Sequence, residues 1–193
     1  MARNVASPLA ALFVSNAIPQ IIAALSLHGS ATAGELTERV SVGSRAVHYE
    51  LNRLRNLGIL TITRVHRVQV YTLTTDPLVH HLVSISLLAY GPLHIIGQNL
   101  GNVQGIEQAF IFGSWARRYH GEIGRIPNDI DVYAVGDTSR NDISEASEFS
   151  SDRLGRPVNT RRVTTEEWNN PVDPFLKLIR EQPLVEIELQ LPK

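Results

Sequence analysis

The 193-residue sequence contains no cysteine. This absence excludes disulfide bridges and any metal site built on thiolates, and it fits a reducing compartment. The sequence also lacks an apolar run of the ~20 residues that a membrane span needs. Near its start, Ser15, Asn16, Pro19 and Gln20 interrupt the apolar residues, so a signal peptide is not expected. These features predict a soluble cytoplasmic protein with no membrane partner.

The sequence has little net charge, −1 in total, but the charge is distributed unevenly. Residues 1–76 contain seven arginines and four acidic residues, a net charge of +3. Residues 77–193 contain eleven basic and fifteen acidic residues, a net charge of −4. The first part is therefore expected to meet a polyanion and the second part to handle cations. The hydrophobic content of 43% is that of a globular protein with one large domain or two smaller ones.

Residues 16–76 predict three helices followed by a β-hairpin. Apolar residues recur at helical spacing in the first and third helices, and the hairpin consists of two β-rich runs around a turn. Ser44 is predicted to cap the start of the third helix, and Gly58 to end it. The predicted helices cover residues 16–27, 32–40 and 44–58, and the turn of the hairpin falls near Val65 to Arg67.

This order of elements, with "SRAVHYELNRLRNLGIL" before the hairpin, resembles winged helix-turn-helix transcription regulators of the MarR and ArsR kind. The resemblance predicts a DNA-binding domain over residues 1–76, acting as a homodimer on two half-sites. The third helix is expected to enter the major groove of duplex DNA, while arginines of the hairpin reach phosphates or the minor groove. The alternative is a solvated basic face on a winged helix used for dimerisation. The residues expected to contact DNA are Ser44, Arg45, His48, Tyr49, Asn52, Arg53, Arg64 and Arg67.

Residues 77–106 are apolar at helical spacing and predict a connector of two helices broken at Gly91-Pro92. Beyond them, "QAFIFGS" (108–114) and "DIDVYAVG" (129–136) predict two buried strands. Alternate residues of a strand share a face, so Asp129 and Asp131 are expected to point the same way. Two neighbouring carboxylates favour a divalent cation with oxygen ligands, Mg²⁺ or Mn²⁺.

The Gly-Ser turn between the first of these strands and the helix expected after it predicts a phosphate site. Gly113 allows close approach of the backbone, Ser114 adds a hydroxyl, and the helix expected after them presents free N–H groups. Arg117 and Arg118 lie one turn further on and are expected to neutralise a triphosphate. These four residues are the predicted nucleotide-binding set, beside Asp129 and Asp131 as the metal-binding and catalytic pair.

The strand, Gly-Ser turn, basic connection and Asp-x-Asp strand together resemble the nucleotidyltransferase superfamily, which includes DNA polymerase beta and the kanamycin nucleotidyltransferases. The likeness is greatest to the small stand-alone minimal nucleotidyltransferases, and it spans residues 108 to 185. It implies a nucleotidyltransferase-like domain over residues 107–193, with a short mixed sheet flanked by helices. The whole chain is then of the α/β (α+β) class. The resemblance also implies that a nucleoside triphosphate binds with Mg²⁺ and that its nucleotidyl group passes to a hydroxyl of a small molecule or a protein.

The sequence departs from this family at two places. Fourteen residues separate Ser114 from Asp129, more than is usual in the minimal branch. A third carboxylate on a later strand is replaced by Asn159 in "GRPVNTRRVT" (155–164), and an amide cannot accept a proton usefully at neutral pH. Two interpretations therefore stay open: an active transferase, or a catalytically degenerate domain that serves as a ligand sensor or as an antitoxin-like module with a toxin partner.

Overall fold

The computed structural model describes residues 13–122 and 124–190. It confirms the mixed α and β class, because helices surround two separate small sheets. The chain divides into two compact units, Met1–Gly91 and Pro92–Lys193. The boundary falls inside the predicted connector, so each unit contains one of its two helices. Residues 1–12 and 191–193, which belong to the predicted terminal domains, lie outside the described part.

Unit 1 has the element order of a winged helix-turn-helix. Its sheet has the strand order β1-β3-β2, with antiparallel pairing throughout, so the hairpin β2–β3 forms the wing. The strand β1 was not predicted, because three residues are too few to show a strand period. The helices are α1 (Ala17–His28), α2 (Ala33–Arg39), α3 (Ser44–Asn56) and α4 (Pro77–Tyr90), and the strands are β1 (Ser30–Thr32), β2 (Leu60–Val65) and β3 (Val68–Leu73).

Local sequence sets the helix ends of unit 1. Thr32 and Glu35 form a capping box at the start of α2, in which Glu35 accepts from the Thr32 N–H at 2.7 Å. The hydrogen bonds from Thr32 lower the pKa of the Glu35 carboxyl. The prediction that Ser44 caps α3 is wrong: Gly43 is the N-cap, because its extended backbone lets its carbonyl accept from the N–H of Val47 at 3.2 Å. Gly58, with φ +74°, follows the end of α3 as predicted.

The apolar segment Pro77–Leu100 corrects one prediction made from the sequence. This helical stretch of 24 residues has a mean hydropathy of 1.4, so it is long and apolar enough to cross a membrane by length and composition. The expectation that no segment reaches this length was wrong, because a long apolar helix can contain the few small and polar residues that interrupt this run. Of the segment's most apolar window, 61% is buried inside the protein, as in a core helix.

Unit 2 contains a four-stranded mixed sheet flanked by helices, as predicted. The strand order is β6-β5-β4-β7, with β5 and β6 parallel and the other pairs antiparallel. Helix α9 was not predicted; Asp173 caps it by accepting from the N–H of Phe175 at 2.9 Å. The helices are α5 (Pro92–Leu100), α6 (Gly113–Tyr119), α7 (Arg140–Leu154), α8 (Thr165–Asn169) and α9 (Pro174–Arg180), and the strands are β4 (Ile106–Phe112), β5 (Ile130–Gly136), β6 (Val158–Val163) and β7 (Val185–Glu186).

Alternation along the strands gives the sheet of unit 2 two different faces. One face packs against α8 and α9, and we call it the aromatic face. Its buried cluster comprises Phe112, Tyr133, Val135, Val163, Trp168, Leu176 and Ile179. On the opposite face, Thr160 Oγ1 accepts from the Ser147 hydroxyl of α7 at 2.7 Å. Residues of β5 that lie an even number of positions from Tyr133 are therefore on the aromatic face. Residues of β6 that lie an even number of positions from Thr160 are on the opposite face.

Candidate functional sites

Helix α3 buries one side and exposes a polar, basic side. Val47, Leu51 and Leu54 are 1% exposed or less and form its inner face. This spacing of four and three residues is the helical period, so the residues between them point outward, apart from Glu50, which is buried beside the inner face. The six residues of α3 that were predicted to contact DNA are all exposed: Ser44, Arg45, His48, Tyr49, Asn52 and Arg53.

The outer surface of α3 and the wing carries charge of one sign. Residues 44–67 contain five arginines and one acidic residue, Glu50. Glu50 is only 5% exposed, and its Oε2 lies 3.6 Å from Arg53 Nη1. Five arginines against a single carboxylate leave the helix and the hairpin with a net positive charge.

The tip of the wing is a two-residue turn of His66 and Arg67, as the hairpin pattern predicted. Val65 pairs with Val68, and the two turn residues have φ values of +47° and +69°. Such turns normally use asparagine and glycine, because other side chains are strained at positive φ. The exposed Arg67 therefore occupies the tip at a conformational cost, and Arg64 lies on β2 near the same end.

Asp129, Asp131 and Asn159 converge at one end of the unit 2 sheet. Asp131 and Asn159 are partners in the parallel register of β5 and β6, while Asp129 comes one residue before β5 begins. The Asn159 Nδ2 atom lies 3.4 Å from Asp129 Oδ2 and 3.4 Å from Asp131 Oδ1. One amide nitrogen thus reaches both carboxylates, which brings the two aspartates to a common point although only one is in the strand.

The Gly-Ser turn lies beside this point. Asp131 pairs with Phe112, the last residue of β4, so Gly113 follows directly next to the carboxylate. Gly113 has φ +69°, and a Cβ added to it would lie 3.3 Å from Asp131 Oδ2. The backbone conformation therefore favours glycine, and a larger residue would also press on the carboxylate. Ser114 follows in the first turn of α6.

The two arginines predicted to neutralise a triphosphate contact the loop after α6 instead. Arg117 Nε lies 2.9 Å from Glu122 Oε2, and Arg118 donates to the Gly124 carbonyl at 3.0 Å. Partial burial lowers the pKa of Arg118. Either side chain would have to exchange this contact for a phosphate, so the structure does not bring them to the aspartates directly.

Sequence reasoning missed Arg156, which supports the segment before Asp129. Its Nη1 donates to the Pro127 carbonyl, and its guanidinium carbon lies 5.9 Å from the centre of the Trp115 ring. The Ile130 N–H donates to the Pro157 carbonyl at 2.9 Å beside it. No local signal marked this role, because Arg156 and Pro127 are 29 residues apart and meet only through the parallel pairing of β5 and β6.

The donor set at this point fits a hard divalent cation. Two carboxylates and an amide group offer only oxygen ligands once the Asn159 amide turns its Oδ1 toward the aspartates, and Mg²⁺ and Mn²⁺ prefer such ligands. Within residues 13–122 and 124–190, no three His, Cys, Asp or Glu side chains are grouped closely enough to hold a metal. The protein would therefore supply Asp129, Asp131 and Asn159, with remaining positions left to water or to a phosphate.

Comparisons with known proteins give little further information. No family model matches the sequence, and no curated protein matches it. Among solved structures, the chain is similar to the crystal structure of the AntR antimony-specific transcriptional repressor, with 24% identity and a TM-score of 0.35. The alignment covers 42% of this chain and 71% of that chain. A likeness of this degree assigns neither a function nor a site.

Proposed function

We propose that the protein is a cytoplasmic, DNA-binding transcription regulator, in which unit 1 binds duplex DNA and unit 2 binds a nucleoside triphosphate together with Mg²⁺ or Mn²⁺. The observation that carries the proposal for unit 2 is the contact of one Asn159 amide nitrogen with both Asp129 and Asp131, beside Gly113. For unit 1, the supporting observation is the exposed, uniformly basic surface of α3 and the wing. A homodimer follows as the expected form, since winged-helix regulators usually read two half-sites.

In unit 1, the exposed side chains of α3 would meet base edges in a major groove. Arginine and asparagine side chains, such as Arg53 and Asn52, are those that read guanine and adenine. Arg64 and Arg67 at the wing supply phosphate or minor-groove contacts. Phosphate contacts provide affinity without sequence information, so the wing contributes strength and α3 contributes specificity.

In unit 2, each residue has a separate part in binding. Asp129 and Asp131 hold the metal ion, which supplies positive charge to the phosphate oxygens when it is bound. Gly113 lets the triphosphate approach the backbone, and the Ser114 hydroxyl donates to it. Asn159 completes the oxygen ligands but cannot remove a proton from an acceptor hydroxyl. This last property favours a domain that senses a nucleotide over one that transfers it.

Nucleotidyl transfer is the second candidate function, and it is favoured by the Asp129–Asp131 pair beside the Gly-Ser turn. The acceptor would be a hydroxyl of a small molecule or of a partner protein such as a toxin. Incubation of the protein with labelled triphosphates and candidate acceptors separates the two candidates. Labelled product supports the transferase, whereas binding without product supports the sensor or an antitoxin-like interaction module.

The metal-site proposal predicts that the double variant Asp129→Ala/Asp131→Ala loses Mg²⁺-dependent nucleotide binding. Removal of both carboxylates leaves the cation without charged protein ligands, so affinity measured by calorimetry is expected to fall at least 100-fold, or roughly 3 kcal/mol. The matched control is Glu145→Ala/Glu148→Ala, which removes the same charge from the exposed surface of α7. Equal nucleotide affinity in the two double variants would exclude the proposed site.

The DNA proposal predicts a steep dependence of affinity on salt. If the five arginines of residues 44–67 each neutralise a phosphate, a plot of log affinity against log salt has a slope of about −4 to −5 per chain. Arg53→Ala is expected to weaken duplex binding roughly tenfold. Arg140→Ala removes the same charge from the start of α7 and is expected to leave affinity unchanged. A flat salt response in the natural protein contradicts phosphate-driven binding.

A further inference from the structure

Strand β6 carries a second polar residue on the same face as Asn159. Asn159, Arg161 and Val163 alternate along the strand with Thr160 and Arg162, so these three share the aromatic face. Arg161 is the cross-strand partner of Tyr133, one step along the sheet from the pairing of Asp131 with Asn159. With a rise of roughly 3.3 Å per residue and roughly 4.8 Å between neighbouring strands, the backbones of Asp131 and Arg161 lie roughly 8 Å apart. The long side chain of Arg161 is therefore within reach of a ligand held at Asp131.

Contacts on the aromatic face restrain the Arg161 guanidinium. Its central carbon lies 4.8 Å from the centre of the Phe175 ring, a stacking distance for a cation over an aromatic ring. Burial raises the pKa of the Tyr133 hydroxyl, and the nearby positive charge of Arg161 opposes this shift. Phe175 is 38% exposed, and Arg161 itself is exposed, so the stacked pair borders solvent. Among the described residues, Arg161 forms no ion pair, which leaves its charge available to a ligand.

Three other arginines of unit 2 are engaged elsewhere. Arg117 pairs with Glu122, and Arg118 donates to the Gly124 carbonyl. Arg162 points to the opposite face, where it donates to the Thr138 carbonyl at 2.9 Å. A triphosphate with one divalent cation keeps a net negative charge, and it would lie next to two aspartates. The site therefore needs a further cation on the aromatic face, and Arg161 occupies that position.

We propose that Arg161 binds the phosphates of the nucleoside triphosphate held at the Asp129–Asp131 pair, and that Phe175 is a positioning residue that orients its guanidinium. The planar guanidinium can donate two parallel hydrogen bonds to a phosphate, which a lysine cannot reproduce. The inference rests on the function proposed for unit 2. It adds a phosphate-binding residue that the sequence pattern of the Gly-Ser turn does not contain.

The test uses Mn²⁺ alone and Mn²⁺ with inorganic tripolyphosphate as probes, with affinities measured by calorimetry on the full chain. Arg161→Ala is expected to keep the natural affinity for Mn²⁺ but to bind Mn²⁺-tripolyphosphate 10- to 100-fold more weakly. Arg161→Lys, which keeps the charge and the aliphatic stem, is expected to lose affinity less. Phe175→Leu is expected to show a smaller loss because it frees the guanidinium without removing it. Arg162→Ala is the matched control and is expected to behave as the natural protein.

The outcomes separate this inference from the proposed function. Equal tripolyphosphate affinity for Arg161→Ala and Arg162→Ala, with Mn²⁺ binding intact, overturns the role of Arg161 but leaves the metal site standing. A natural protein that binds neither Mn²⁺ nor Mn²⁺-tripolyphosphate overturns both. A loss of Mn²⁺ affinity in Arg161→Ala equal to its loss of tripolyphosphate affinity also overturns the inference, because a residue that contacts only phosphate cannot produce it.

Discussion

Asn159→Asp is expected to bind Mn²⁺ at least tenfold more tightly than the natural protein and to make the stability of unit 2 depend on metal. The natural amide nitrogen contacts both carboxylates at 3.4 Å and so offsets their repulsion. An aspartate there removes this donor and adds a third negative charge at the same point. Without metal, the variant should melt at a lower temperature than the natural protein. Mn²⁺ at 100 times its Kd should stabilise the variant by about 2.7 kcal/mol.

Asn159→Ala is the control for this experiment, because it removes the amide donor without adding charge. It is expected to melt below the natural protein and to gain less from Mn²⁺ than Asn159→Asp. Comparison of the two variants separates the effect of the lost hydrogen bonds from that of the added carboxylate. If Mn²⁺ shifts both melting temperatures equally, Asp129, Asp131 and residue 159 do not share a metal ion.

Much of the fold could be predicted from the sequence, because its elements are marked locally. The apolar period of α3 and the β-rich runs of the wing are contained within short segments, so neighbouring residues are enough to identify them. The spacing Thr164-x-x-Glu167 is an equally local signal, that of a capping box, and the structure contains both of its hydrogen bonds. The convergence of Asp129 with Asp131 also followed from their spacing, although Asp129 precedes β5 rather than belonging to it.

The remainder depends on contacts between distant residues. Arg117 and Arg118 were assigned to phosphate by their distance from the Gly-Ser turn, yet the loop that follows provides partners of its own for both. Arg161 could have been noticed, since it lies two residues after Asn159 and must share its face. Its value as a cation became apparent only with the ring of Phe175, because α9 was not predicted and no sequence period links the two residues.

These contacts suggest how binding at unit 2 would be arranged. The carboxylates lie at the start of β5, the Gly-Ser turn follows β4, and Arg161 lies on β6, so three adjacent strands each contribute one part. Sites built on strands hold their groups more precisely than sites built on loops. The backbone pairing of β4, β5 and β6 therefore determines the geometry of the proposed site, and a disturbance of this pairing should affect ligand binding and folding together.

Gly105→Ala is expected to destabilise unit 2 strongly. Gly105 has φ +82°, and a Cβ added to it would overlap the Asp137 carbonyl oxygen and approach its carbon to 2.8 Å. Gly105 lies directly before β4, where Ile106 pairs with Gly136 of β5. The added methyl group must displace the backbone of Asp137, and the residue itself is strained at positive φ. The expected loss of stability is about 3 kcal/mol or more, measured by denaturant unfolding.

Substitutions at two other glycines separate the steric and the conformational contributions to this loss of stability. Gly121 has φ +98° but open space around an added Cβ, so Gly121→Ala should cost only the conformational strain of about 1–2 kcal/mol. Gly124 has open space around an added Cβ and a φ outside the left-handed region, so Gly124→Ala should be close to neutral. The difference between Gly105→Ala and Gly121→Ala then measures the steric conflict with Asp137. Equal destabilisation by these two variants would mean that the start of β4 and the end of β5 accommodate the added methyl group without a steric cost.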